Sequence, residues 1–143
     1  MTMRIRSLSL IILVTALVAV SCTQTSGAND EELADRAFQL GHVATALNGL
    51  IQYGNPSPDL TGDQLLQEAT KDNPDLLKPF ADYYLTARRE GKFGSVLMCN
   101  KLKMKALAED ATCTAILDDR IWSEAPEAPC TFRLNLLDVC GNH

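Results

Sequence analysis

The chain has 143 residues, 46% of them hydrophobic, with 13 Lys and Arg against 18 Asp and Glu, for a formal charge of −5 at pH 7. That length is enough for one domain with one core. The acidic balance argues against nucleic acid and anionic lipid headgroups as general partners, since both would be repelled, and permits a basic protein partner.

Arg4 and Arg6 precede an apolar run from Leu8 to Val20, 13 residues long. This suits the n-region and h-region of a signal peptide over 1–21, and falls short of the ~20 apolar residues of a bilayer-spanning helix. The run stops at Ala19-Val20-Ser21-Cys22, which resembles the lipobox of bacterial lipoproteins, with a small residue at the cut and cysteine directly after it. The resemblance covers the leader alone. It implies cleavage before Cys22 and a lipid (palmitate-type) anchor on that residue, holding the protein to a membrane. Thr23 rather than Asp after Cys22 implies, by resemblance to enteric lipoproteins, the outer membrane with the domain facing the periplasm. The same residues also fit an ordinary secretory cleavage site, because Ala19 and Ser21 are small, and a further site lies after Ala28. Secretion to the periplasm without lipid is the alternative. Loss of Arg4 and Arg6 leaves 11 basic against 18 acidic residues, a balance of −7.

Residues 22–29 read as the lipidated cysteine and a flexible tether, because Thr23 to Ala28 offers nothing apolar to bury. A single globular domain then spans 30–143. Asn29 is expected to cap a helix, with Glu32 as its capping-box partner and Asp30, Glu31 and Glu32 set against the helix dipole. Leu33, Ala37, Leu40, Ala44, Leu47 and Ile51 recur at steps of four and three, forming one apolar stripe that ends at Gly54 before Asn55-Pro56. The stripe is expected to serve the domain's own core; a docking face for a partner is its functional alternative. Thr61, with Gln64 in the reciprocal position, marks a short helix to about Thr70. Asn73-Pro74 starts another, in which Leu77, Phe80, Tyr84 and Ala87 share a face up to Gly91, with a kink or restart expected at Pro79. Tyr84 is then expected inward and Tyr83 partly exposed.

Beyond Gly94 the period changes. Ser95 to Cys99 is a compact apolar run of strand length. Lys101, Lys103 and Lys105 alternate with Leu102, Met104 and Ala106, as in a half-buried strand, so a hairpin turning near Asn100-Lys101 is expected. Asp110 to Trp122 reads as a short helix capped by Asp110, Ser123 to Pro129 as a loop, and Cys130 to Leu137 as a further strand with Phe132, Leu134 and Leu136 on one face. The expected fold is α+β: a helical N-terminal two-thirds followed by a small disulfide-linked antiparallel β-sheet with a short helix.

Five cysteines are an odd number; assigning Cys22 to lipid leaves Cys99, Cys113, Cys130 and Cys140. In an exported chain these are expected to form two disulfides, with three connectivities open. Their spacings of 14, 17 and 10, without a C-x-x-C pair and with only His42 and His143 as histidines, do not match a zinc site. No metal and no cofactor is expected.

Candidate sites follow from charge and ring chemistry. The three lysines on one strand face would meet phosphates or carboxylates of lipid A, peptidoglycan or an acidic protein, or would simply form a solvated or edge-guarding face. Trp122, the lone tryptophan, can anchor a protein interface. Glu109-Asp110 and Asp118-Asp119 could supply the two carboxyls of a hydrolase, but neighbours in sequence point in different directions and Asp110 has the expected capping role. His42 in the middle of a helix is poorly placed to activate a cysteine, and Gly91-Lys92-Phe93-Gly94 is too short for a phosphate loop. The reading is a non-enzymatic, lipid-anchored envelope protein that binds another protein, as an inhibitor or immunity protein. A structural subunit of an envelope assembly docking through the stripe is the alternative, and a small hydrolase a third.

Overall fold

A computed structural model describes residues 26–103, 105–113, 121–122 and 129–141. The leader, Cys22, Asp118-Asp119 and most of the Ser123–Pro129 loop lie outside the described residues. Helix α1 (Ser26–Gly49) runs into a π-helical turn, Leu50–Gly54, and stops where Asn55 adopts the left-handed conformation at φ 47° directly before Pro56. It already includes Ser26, the first described residue, so Asn29 lies within the helix rather than capping it, and residues 26–29 of the expected tether are helical; Ala28 favours helix there. Ala37, Leu40, Val43, Ala44, Leu47 and Ile51 are buried and Leu33 half-buried. The stripe therefore packs into the domain's own core.

Helix α2 (Gly62–Thr70) starts after Thr61, whose backbone is extended as at a cap, yet its side chain makes no capping hydrogen bond; the Thr61 carbonyl accepts from the Gln64 amide instead, at 3.1 Å. A 3₁₀ segment, Pro74–Phe80, has Pro74 in its first turn. The expected continuation of helix to Gly91 does not form: residues Tyr83–Glu90 are strand β1. Pro79 lacks the amide a helix would use, and Tyr83, Tyr84 and Thr86 are strand-favouring types. The helical part thus ends at Phe80, and the sheet begins twelve residues before the expected Ser95.

Strands β1, β2 (Phe93–Asn100), β3 (Ala106–Ala111) and the two-residue β4 (Ile121–Trp122) form an antiparallel meander in that order. The β1–β2 turn is Gly91-Lys92, with Gly91 at φ 62°, a conformation that glycine adopts freely. A bulge between Met98 and Cys99 sets the register of β2 on β3. Two further expectations are corrected here. Asp110 is a buried strand residue rather than a helix cap, because its carboxyl-bearing position continues the β2 ladder opposite Val96. Cys130 to Asn135 is extended but joins no ladder, and α3 (Leu136–Cys140) follows, capped by Asn135, whose side chain accepts the Leu137 amide at 3.1 Å. The alternation seen there still reports facing: Phe132 and Leu134 are half-buried and Leu136 buried, while Thr131, Arg133 and Asn135 are exposed.

The sheet has two covered faces. Ala87, Val96, Met98 and Ala108 pack with α1, α2 and Phe80; Leu97, Cys99, Ala106 and Tyr84 point the other way and meet Cys130 and Phe132. Disulfides Cys99–Cys130 and Cys113–Cys140 fasten the C-terminal segment to this second face, in an interleaved first-to-third, second-to-fourth pattern. Glu109 adds a polar fastening. Its Oε2 accepts the amides of Arg133 at 2.7 Å and Leu134 at 3.1 Å, and its Oε1 accepts from Ser95 Oγ at 3.0 Å and Arg88 Nη2 at 3.5 Å. Arg88 also donates to Ser95 Oγ and to the Leu134 carbonyl, and its guanidinium lies 4.8 Å from the Phe132 ring centre.

At the far end of α1 the helix touches the sheet with no room to spare. A Cβ on Gly94 would come within 2.6 Å of Ile51 Cδ1 and 3.1 Å of the Arg88 carbonyl. Gly94→Ala is expected to lower stability by about 1–3 kcal/mol through overpacking, measured by urea unfolding of the oxidised chain. An unchanged midpoint would mean that the helix shifts freely.

Candidate functional site

The lysines that the alternation places on a strand face stand instead on the loop between β2 and β3, and Asn100 is the reason. Its amide donates to the Lys105 carbonyl at 3.0 Å, its Oδ1 accepts the Lys105 amide at 3.0 Å, and its carbonyl accepts the Lys103 amide at 2.8 Å. Lys103 takes a positive φ of 56° to close the turn. Asparagine side chains commonly satisfy turn backbone in this way, and three bonds to one residue halt the ladder before Lys101.

The loop is braced at its base by Cys99–Cys130, one residue before Asn100. Lys101 Nζ lies 3.5 Å from Asp82 Oδ1, and Lys103 Nζ sits 3.9 Å from the centre of the Tyr84 ring. Each contact is solvent-exposed and contributes modestly. Between them Leu102 is 75% exposed. The loop thus carries an outward apolar side chain beside the exposed Lys101, Lys103 and Lys105.

The loop lies at the N-terminal end of α1. Tyr83 pairs with Asn100 across the β1–β2 ladder, and its hydroxyl donates to Glu32 Oε1 at 3.1 Å. Partial burial, then the Glu32 carboxylate, push the Tyr83 hydroxyl above its ordinary pKa, so it remains a donor throughout the neutral range. At the other end Gln52 donates to the Lys92 carbonyl at 2.8 Å beside the β1–β2 turn. Helix α1 therefore runs the length of the sheet, from the lysine loop to that turn.

The remaining expected candidates are dispersed. Glu109 and Asp110 are neighbours on one strand and face opposite ways, and the Glu109 oxygens are already filled by the fastening described above. His42 is exposed on α1, edge-on to Phe38 at 5.1 Å, and all four cysteines of the domain are oxidised. Trp122 pairs by its backbone with Ala108; its side chain lies outside the described residues. A cleft of about 360 Å³ beside β1 is lined by Pro58, Leu60, Thr61, Ala87, Arg88, Arg89 and Gly91. Its arginines are engaged, Arg88 in the Glu109 cluster and Arg89 with the carbonyls of Pro56 and Gly91.

The exposure of Leu102 is the feature the sequence hides, because lysine alternating with apolar residues has the same pattern in a half-buried strand and in a displayed loop. The available signal was Asn100, a turn-forming residue at the head of the run. Among the described residues no group of three or more potential metal ligands occurs, and no helix is long and apolar enough to cross a membrane. Comparison with family models, with curated proteins and with solved structures returns no match to the chain, so any functional reading rests on the chemistry of the loop itself.

Proposed function

We propose that this is an exported, lipid-anchored envelope protein, tethered through Cys22, that binds another protein as an inhibitor or immunity protein does, and that the β2–β3 loop is its binding element. The single observation that carries the reading is the fixed display of Leu102. A lone exposed leucine is ordinary on a protein surface. This one is held on a loop braced by a disulfide and by the hydrogen bonds of Asn100, so little conformational freedom is left to lose on binding. The surrounding lysines set the partner's chemistry: an apolar notch with a rim of carboxylates.

The test is capture from the native envelope by the oxidised chain carrying Cys22→Ser, compared with the same chain bearing Leu102→Asp. Because Leu102 touches little of its own protein, folding is expected to be unchanged, while affinity for one stoichiometric partner falls about 30-fold, the effect of losing an interface anchor. Identical capture by the two chains would remove the loop from the interface. Separately, Cys22 is expected to incorporate labelled palmitate, and Cys22→Ser to abolish the label.

A further inference from the structure

We propose that the protein bound through the β2–β3 loop also inserts one large apolar side chain into a second cleft of this domain, the one lined by Tyr83. This rests on the loop-binding reading above and adds the partner's half of the contact: a projecting aromatic or aliphatic residue near its notch for Leu102. The cleft measures about 220 Å³ and lies between α2, the 3₁₀ segment and β1. Its apolar lining is buried Leu66 and Phe80 with half-buried Leu77, Tyr83 and Leu85; its polar lining is the exposed pair Asp63 and Gln67. All five apolar residues belong to the main core or pack against it. An apolar side chain seated there leaves water for the packing of the core itself, as interface anchors do.

Volume selects the occupant. Clefts that take cofactors and drug-sized molecules measure about 300–1,000 Å³. This one is smaller, which favours a single anchoring side chain over a free small molecule. Position selects the owner of that side chain. Tyr83, on the lining, stands opposite Asn100 in the β1–β2 ladder. Opposed residues of an antiparallel pair have Cα atoms about 4.5–5.5 Å apart, and the two steps from Asn100 to Leu102 add at most ~7 Å. The Cα atoms of Tyr83 and Leu102 are therefore within about 13 Å of each other. An interface patch of ~800 Å² per partner is about 30 Å across, wide enough for both positions with their side chains extended. Lys101 ties the loop to the same wall at side-chain level, since its Nζ lies 3.5 Å from Oδ1 of Asp82, the residue before Tyr83. A protein seated on Leu102 thus has this cleft within its footprint.

The cleft is tested first without the partner. Toluene, standing in for the anchoring side chain, is titrated into the oxidised chain carrying Cys22→Ser while leucine methyl resonances are followed by NMR. Saturable shifts centred on Leu66, Leu77 and Leu85 are expected. Gln67→Trp from α2, or Leu77→Trp from the 3₁₀ segment, is expected to abolish them by filling the space, with an unchanged urea midpoint showing that the variant is folded. No saturable shifts, or shifts that both tryptophans leave unaltered, overturn the inference. The second arm uses a folded tryptophan variant that has lost the toluene shifts, and full chains with a photoreactive amino acid at position 67 or 102 in native cells. The same protein is expected to crosslink from both positions, and the variant to bind it at least about tenfold more weakly. Binding equal to the parent's, or a crosslink from position 67 to lipid or to a different protein, overturns this inference while the loop-binding reading stands on its dependence on Leu102. Binding indifferent to Leu102→Asp overturns that reading and removes the shared footprint with it, even if toluene occupies the cleft.

Discussion

Glu109→Leu is expected to destabilise the oxidised domain by about 3–5 kcal/mol, a large share of a typical domain's stability. The side chain is only 4% exposed, and two amides, a hydroxyl and a guanidinium converge on its carboxylate. Leucine fills much the same volume but leaves the amides of Arg133 and Leu134 without acceptors and the Arg88 charge without its counter-ion. Each orphaned buried donor costs roughly 1–3 kcal/mol. Glu109→Gln retains one acceptor oxygen and should lose only about 1–2 kcal/mol. Urea unfolding of the two variants against the parent measures the order. Equal, small losses would show that the C-terminal segment is held by its disulfides alone.

Removing those disulfides is the second large perturbation. Cys99→Ala with Cys130→Ala opens a link spanning 31 residues, and the loop-entropy relation assigns it about 3–4 kcal/mol; the Cys113–Cys140 link, spanning 27, is worth nearly the same. With both absent, the stretch from Cys130 to Asn135, which joins no ladder among the described residues, keeps the Glu109 and Arg88 contacts and the apolar packing of Phe132 and Leu134. The expected outcome is release of this segment before the helical face of the sheet unfolds, since α1 and α2 pack on the opposite side. Trypsin reports it directly through cleavage after Arg133. Resistance equal to that of the oxidised parent would mean that the polar cluster suffices.

How far the fold could be read from the chain depended on how many positions carried each pattern. Six residues at helical spacing from Leu33 to Ile51 leave little ambiguity, and all but the first are buried. The paired cysteines were equally legible, because setting Cys22 aside from an odd count leaves four, and these four form the two disulfides. Tyr83–Glu90 was not: Leu77, Phe80, Tyr84 and Ala87 have helical spacing, but the first two sit in a 3₁₀ turn and the last two in a strand, and only Pro79 between them betrays the change. The C-terminal alternation from Phe132 to Leu136 correctly gave the inward side while missing that the segment joins no ladder among the described residues. At the candidate site the residue types were visible, but the geometry was not, since the display of Leu102 depends on three hydrogen bonds made by one asparagine.

The interleaved crosslinks also dictate how the protein must be made. For a chain exported as proposed, Cys99 and Cys113 are the first of the four paired cysteines to emerge, and an oxidant working in order of emergence joins them to each other. Neither native link contains that pair: Cys99 must wait for Cys130, and Cys113 for Cys140. Maturation therefore calls for either delayed oxidation, with the sheet assembling first and bringing the correct sulfurs together, or a reshuffling catalyst that attacks the early mispaired link through a mixed disulfide. A host compartment with strong oxidising power but no isomerase activity would accumulate the non-native form, and the yield of folded protein would be set by disulfide editing rather than by export.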